Sequence, residues 1–294
     1  MEFPEAALPA LFHSANDLSV SMQRRFLRIS ALRLIFLVSA AVAGALTVKT
    51  RNGSDLAGFA TALALVGAIV LEARLVREKP ERAWYDGRVV AEAARTLAWR
   101  FGMGAHPFPR TLTTREAEQA FVAQLAEMLK SAPPMVLTAR VGPVLDPSLQ
   151  ALRDAELRDR RDVYLRDRLA DQAAWYAGKS AGNRKAASRW RTALVLTEAA
   201  GVTGALLRAV GAVDLDIAGI VAAVAGAGVA WLAVKKYEQL AQSYAYATNE
   251  LAIVEGRISL ATEEGTWATT VAEAEETISR EHLAWRASRT TITN

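Results

Sequence analysis

One acidic residue sits deep inside an apolar stretch. Glu198 lies about two helical turns into the run Thr192 to Leu207 (TALVLTEAAGVTGALL), which holds no other charge. A charge at the centre of a membrane helix costs about 2.5 to 3.5 kcal/mol on insertion scales, so such a group faces protein or water and not lipid. Two chemistries fit. Glu198 is a pore-lining or gating carboxylate, or it is a protonated or hydrogen-bonded group holding two helices together with help from Thr197 or Thr203. The other candidates are weaker. His13, His106 and His282 stand far apart, without a second histidine at ligand spacing. His282 falls on an apolar seam between Ile278 and Trp285 and reads as an interface histidine. Glu273, Glu275 and Glu276 read as a solvated helix face. There is no cysteine, which excludes disulfides, thiolate metal sites and cysteine nucleophiles. Walker, GxGxxG, GxSxG and HExxH patterns are missing. With no converging acid, base and orienting group, neither catalysis nor a cofactor or metal is expected.

The elements that must position Glu198 are four nearly uncharged runs in two pairs. The first pair is Leu34 to Val48 and Leu56 to Leu71; the second is Thr192 to Leu207 and Ile217 to Val234. Each is apolar all round, as a helix surrounded by apolar material must be. Their lengths fall between a core helix and a full span of about 20 residues. The flanking charges decide between these. Arg24, Arg25, Arg28 and Arg33 precede the first pair, and Arg74, Arg77, Lys79 and Arg82 follow it. Arg184, Lys185, Arg189 and Arg191 precede the second, with Lys235 and Lys236 after it. The tips carry far less positive charge. Anionic lipid on the cytoplasmic face retains lysine and arginine, so both termini and the middle segment are expected in the cytoplasm, with two short tips outside. Terminal arginines and lysines also snorkel and lengthen the effective span.

Amphipathic arms follow each pair. Tyr237, Leu240, Tyr244, Ala247, Leu251, Val254 and Ile258 alternate spacings of three and four, the a/d pattern of a coiled coil. A second seam holds Trp267, Val271, Ala274, Ile278, His282 and Trp285, with Glu276 and Arg280 as a surface pair. In the first half Ala83, Gly87, Val90, Ala94, Leu97 and Phe101 repeat the spacing. Pro80 marks a helix restart. Residues Gly102 to Arg110 read as a loop. Thr113 and Glu116 form a capping box that opens a helix to about Lys130. From Ser148 to about Arg191 the pattern predicts one long charged helix with Asp154–Arg158, Glu156–Arg160 and Asp162–Arg166 pairs. The fold class is therefore all-α: two transmembrane hairpins with long cytosolic, coiled-coil-like helices. The division is a first unit over 1–131, a proline-rich linker over 132–147 and a second unit over 148–294.

Composition agrees with that alternation. The chain is 52% hydrophobic and 22% charged, with a mean hydropathy of +0.12. Its net charge of +4 could point to nucleic acid, but no basic, aromatic-lined module is present. The cations flank apolar runs, so lipid headgroups are the simpler partner. Small-residue faces occur at Ala40–Gly44, Ala200–Gly204 and Ala222–Gly226, and packing within or between subunits explains them equally.

With these residues identified, the chain resembles the SLATT family of SMODS- and SLOG-associating two-transmembrane effector domains, as two units in tandem. The second unit carries Gln172, Trp175, Tyr176, Lys179, Asn183 and Trp190 before its hairpin. After it come Trp267, Val271, Glu273, Glu276, Ile278, Glu281, His282 and Trp285. The first unit carries Trp84, Arg88, Glu92, Trp99 and Arg100, closed by Pro107 and Phe108. The resemblance implies a pore-forming effector of a bacterial conflict or anti-phage system, acting beside a nucleotide-producing or nucleotide-sensing partner to arrest or kill the cell. On this reading the protein is a homo-oligomer in the inner membrane, assembled through its cytosolic helices. Three alternatives remain: a membrane-anchored scaffold that recruits a partner without conducting, a soluble bundle with four buried core helices, and a hydrolase on the arms.

Overall fold

Asp55 starts the second long helix by accepting a hydrogen bond from the Ala57 N–H at 3.0 Å, which satisfies one free donor of its first turn. In the computed structural model, residues 3, 5–46, 48–140 and 142–290 are described, with side chains up to 279. Ten α-helices occur among them: α1 (Ala10–Gly44), α2 (Leu56–Glu78), α3 (Pro80–Gly102), α4 (Thr114–Ser131), α5 (Pro147–Asp154), α6 (Leu157–Val163), α7 (Asp171–Ala209), α8 (Ile217–Lys235), α9 (Tyr237–Leu260) and α10 (Glu264–Thr290). A π-helical stretch, Tyr164–Ala170, joins α6 to α7. No strand occurs among the described residues; a lone bridge pairs Lys49 with Asp55 at the first tip. The protein is all-α, as its apolar periodicities predict.

All four apolar runs are helical, on α1, α2, α7 and α8. The first ends at Gly44, short of the expected Val48. Their surroundings reject the soluble bundle. Only 17%, 17%, 6% and 11% of the most apolar windows are buried, and Phe59, Leu63, Ile69, Val195, Leu196 and Val202 point outward. Side chains this apolar, exposed over the length of four helices, require hydrocarbon as solvent.

Contacts divide the chain into two units. The membrane unit holds 23–80 and 179–243; the polar unit holds 1–22, 81–178 and 244–294. In the membrane unit, each hairpin is tied at its base by ion pairs: Arg25–Glu78 at 2.7 Å and Arg33–Glu72 at 2.8 Å in one, Arg191–Glu238 in the other. Gly204 lets α7 approach α8, because a Cβ there would lie 2.5 Å from Ile217 Cγ2.

The second and fourth apolar helices end alike. The Lys79 N–H donates to Leu75 O, and the Lys236 N–H donates to Leu232 O. Both lysines adopt positive φ, 45° and 50°. The next helix starts at once, at Pro80 in one half and Tyr237 in the other. The bend at Pro80 was legible; the matching break at Lys236 was not, and the seam beginning at Tyr237 is a separate helix, not a continuation of α8.

The polar unit is a helical bundle around two apolar clusters. One gathers Phe12, Ala94, Phe101, Phe108, Phe121 and Leu149; the other gathers Trp99, Met103, Tyr164, Leu251, Ile258 and Trp267. The capping box forms as expected, with the Glu116 N–H donating to Thr113 Oγ1 and the Thr113 N–H donating to Glu116 Oε2. The long charged helix expected from Ser148 instead breaks at Ala155–Glu156. Its expected pairs are replaced: Arg110 binds Asp154 at 3.4 Å, Arg160 binds Glu264, and Arg166 binds Asp167 at 2.5 Å. Arg153 and Arg160 turn inward to clamp the loop after α3, donating to Phe108 O at 2.5 Å and to Met103 O at 2.6 Å. Helix ends and loops leave free carbonyls, and a buried guanidinium satisfies several at once.

Candidate functional site

The second hairpin builds its interface from one stripe of α7. Leu194 meets Gly228, Gly201 meets Val221, and Gly204 meets Ile217. At 3.6 residues per turn, Glu198, four residues after Leu194 and three before Gly201, borders that stripe, yet it is exposed together with Val195 and Val202. Thr197 and Thr203 donate to their own helix, to Ala193 O at 2.8 Å and Ala199 O at 3.0 Å. Each threonine hydroxyl thus spends its proton four residues back along its own helix. At the tip Arg208 pairs with Asp216 at 2.9 Å. Of the small-residue faces, Ala40–Gly44 and Gly204 are used within the hairpins, while Ala222 and Gly226 face outward and a Cβ on Gly226 would meet nothing within 4 Å.

The arm seam behaves differently from expectation. Ala247, Leu251, Val254 and Ile258 on α9, and Trp267, Val271, Ala274 and Ile278 on α10, are buried in this chain's own core. Trp267 is fully buried, and its indole N–H donates to Met103 O at 2.8 Å. Tyr244 packs on the same core, between the rings of Trp175 and Tyr176. Tyr237 and Leu240 are half-buried. From Ala247 to Ile258 and from Trp267 to Ile278 the a/d spacing thus marks an intrachain core; periodicity identifies a buried face without identifying what buries it. The side chains of Arg280, Glu281, His282 and Trp285 lie outside the described residues. His13 packs edge-on to Phe12, and the His106 N–H donates to Ala268 O at 3.2 Å.

A second constellation was not legible. Glu275, expected on a solvated face, is fully buried, whereas Glu273 and Glu276 are exposed. Arg168 holds its carboxylate through two hydrogen bonds, Nε to Oε1 at 2.8 Å and Nη2 to Oε2 at 2.7 Å. Tyr164 and Thr96 donate to the same oxygens at 3.0 and 2.9 Å. Although burial disfavours its charge, the Glu275 carboxylate holds Arg168 above the usual guanidinium range. Burial and the same carboxylate push the Tyr164 phenol up. The available signal was spacing: Glu275 stands four residues after Val271 and three before Ile278, on the buried face of α10. The π-helical turn that carries Arg168 has no such signature, and π turns are frequent at functional sites.

These features define a multi-pass α-helical membrane protein made of two transmembrane hairpins and a polar helical bundle. The chain belongs to the SLATT family: residues 9–161 match SMODS and SLOG-associating 2TM effector domain 3, and residues 164–285 match SMODS and SLOG-associating 2TM effector domain 1. It thus carries two such two-transmembrane domains in tandem, of a class associated with conflict and defence systems. Neither curated proteins nor solved structures returned a match. The first match runs past the proline-rich segment at 132–147 and includes α5.

Proposed function

We propose that this protein is a non-enzymatic effector of the inner membrane that assembles with copies of itself into a pore. Its termini and polar unit lie in the cytoplasm, and a nucleotide-type signal opens the pore to arrest or kill the cell. One observation carries the reading. Glu198 is exposed near the middle of an apolar run, at the border of the stripe that packs on α8. Left against lipid, its charge is unfavourable by about 2.5 to 3.5 kcal/mol. Placed in a ring around an axis shared by several subunits, it faces water and attracts cations. The open Ala222–Gly226 face supports close helix approach between copies, and the basic hairpin bases support the orientation. Assembly on this reading runs through the hairpins, since the arm seam is occupied. The test is cation and dye release from liposomes containing the purified protein, comparing wild type with Glu198→Gln. Release that depends on Glu198 is expected; vesicles that stay sealed under every condition refute it.

A scaffold reading has one observation in its favour. Tyr246, Ile253 and Leu260, seven residues apart on α9, are 63%, 66% and 82% exposed, an apolar stripe suited to a partner protein. If recruitment is the function, a foreign anchor replacing both hairpins preserves it.

A further inference from the structure

The polar unit contains a cleft of about 320 Å³. Phe3, Glu5, Arg95, Trp99, Asp171 and Gln172 line it, and Arg166, Asp167 and Arg168 of the π-helical turn complete the wall. Two residues ahead of α1 occupy its polar and aromatic positions. The Phe3 ring lies 4.3 Å from that of Trp99, and its N–H donates to Asp167 Oδ2 at 2.9 Å. Glu5, with a side chain 69% exposed, accepts from Arg95 Nη2 at 3.3 Å.

The three guanidiniums are not equally satisfied. Arg168 is held by Glu275 at 2.7 Å and Arg166 by Asp167 at 2.5 Å. Arg95 is mostly buried, yet its carboxylates stand at 3.3 Å (Glu5) and 3.6 Å (Glu92). Burial holds its guanidinium below the usual range. A shielded cation with long, partly solvated pairs gains from a closer anion. The chain's own residues therefore display the ligand chemistry: a flat ring on Trp99 and one anion on Arg95, with carboxylates and an amide beside them to receive hydroxyl and amine groups.

We propose that this cleft binds a nucleotide bearing a single negative charge, its base replacing Phe3 on Trp99 and its phosphate oxygen replacing the Glu5 carboxylate on Arg95. The lining limits the charge. Arg168 and Arg166 are already paired with Glu275 and Asp167, so an anion that takes the place of Glu5 on Arg95 replaces one negative charge with one, and a triphosphate would add charge beyond it. The volume suits a mononucleotide, at the lower end of small-molecule sites (about 300 to 1,000 Å³). The inference rests on the proposed signal response for its physiological meaning and on the cleft alone for its chemistry.

The test is isothermal titration of the full chain in detergent with 3′,5′-cyclic AMP and cyclic GMP as singly charged probes and ATP as the polyanionic control. One cyclic nucleotide is expected to bind, ATP more weakly. Arg95→Gln should weaken binding about tenfold or more, the loss of a hydrogen bond to a charged group. Glu5→Gln, on an exposed side chain, should tighten it by removing the competing anion. No binding by wild type or by Glu5→Gln at millimolar probe overturns the proposal, as does unchanged affinity in a folded Arg95→Gln. Binding with vesicles that never leak sinks the channel and keeps the cleft; leak without binding does the reverse.

Discussion

Arg168 and Glu275 stand 107 residues apart in the chain and share a two-pronged ion pair, both side chains almost fully buried. The pair joins the π-helical turn to α10, and Thr96 brings in α3. Removing one partner of a buried pair leaves an uncompensated charge and destabilises by about 3–5 kcal/mol. Glu275→Ala should therefore melt the polar unit far below wild type in a detergent thermal scan. Replacing both residues, Arg168→Met with Glu275→Leu, should cost much less than Glu275→Ala alone. Equal losses would mean the pair is not the determinant.

Ile258 tests whether the α9 seam is core or interface. Its side chain is fully buried within the chain, so Ile258→Ala should destabilise by about 2–5 kcal/mol. Its oligomeric size, measured by light scattering at a temperature where it stays folded, should match wild type. A variant that melts like wild type but dissociates would restore the oligomer seam.

Lys79 and Lys236 adopt a backbone region unfavourable by about 1–2 kcal/mol for residues with a Cβ. Glycine removes that penalty, so Lys79→Gly and Lys236→Gly should each leave stability unchanged or raise it by up to about 1 kcal/mol. Valine at either site should lower it. Thermal scans of the four variants check the order, and a glycine less stable than valine would contradict it.

Asp167 makes stability depend on acid. Burial pushes its carboxyl up, but hydrogen bonds from Arg166 and from the Phe3 N–H outweigh burial and hold it below its ordinary value of 3.8. A group depressed on folding stabilises above its unfolded pKa and loses that contribution as pH falls through the folded one. Asp167→Asn should therefore flatten the fall in stability below pH 3.8 while lowering stability at neutral pH. An unchanged acid limb in urea titrations would remove Asp167 from the account.

At Thr113 the capping box should cost about 1 kcal/mol when Thr113→Ala removes it. Glu116 belongs to the same reciprocal pair, so the double variant with Glu116→Ala should lose less than the two single losses combined. Additive losses would deny the coupling.

Local physics made much of this chain legible from residues alone. Four nearly uncharged runs must be helices that meet hydrocarbon, because lipid offers the backbone no hydrogen-bond partner and only a helix satisfies itself. Thr113 with Glu116, and Pro80 after a run of charges, mark helix starts through contacts made within four residues. Even Glu198 was identifiable as anomalous, since one charge in sixteen apolar residues requires an explanation whatever lies around it. The partners of each face were decided only in three dimensions. Periodicity showed that Leu251, Ile258 and Trp267 are buried, but the covering surface belongs to residues such as Trp99, Met103 and Tyr164, far away in the chain. Glu275 and Arg168 look like ordinary solvated charges because each is unfavourable when buried alone, and only the fold supplies the other. Lysines at Lys79 and Lys236 bend the chain against their own backbone preference, which no propensity foretells.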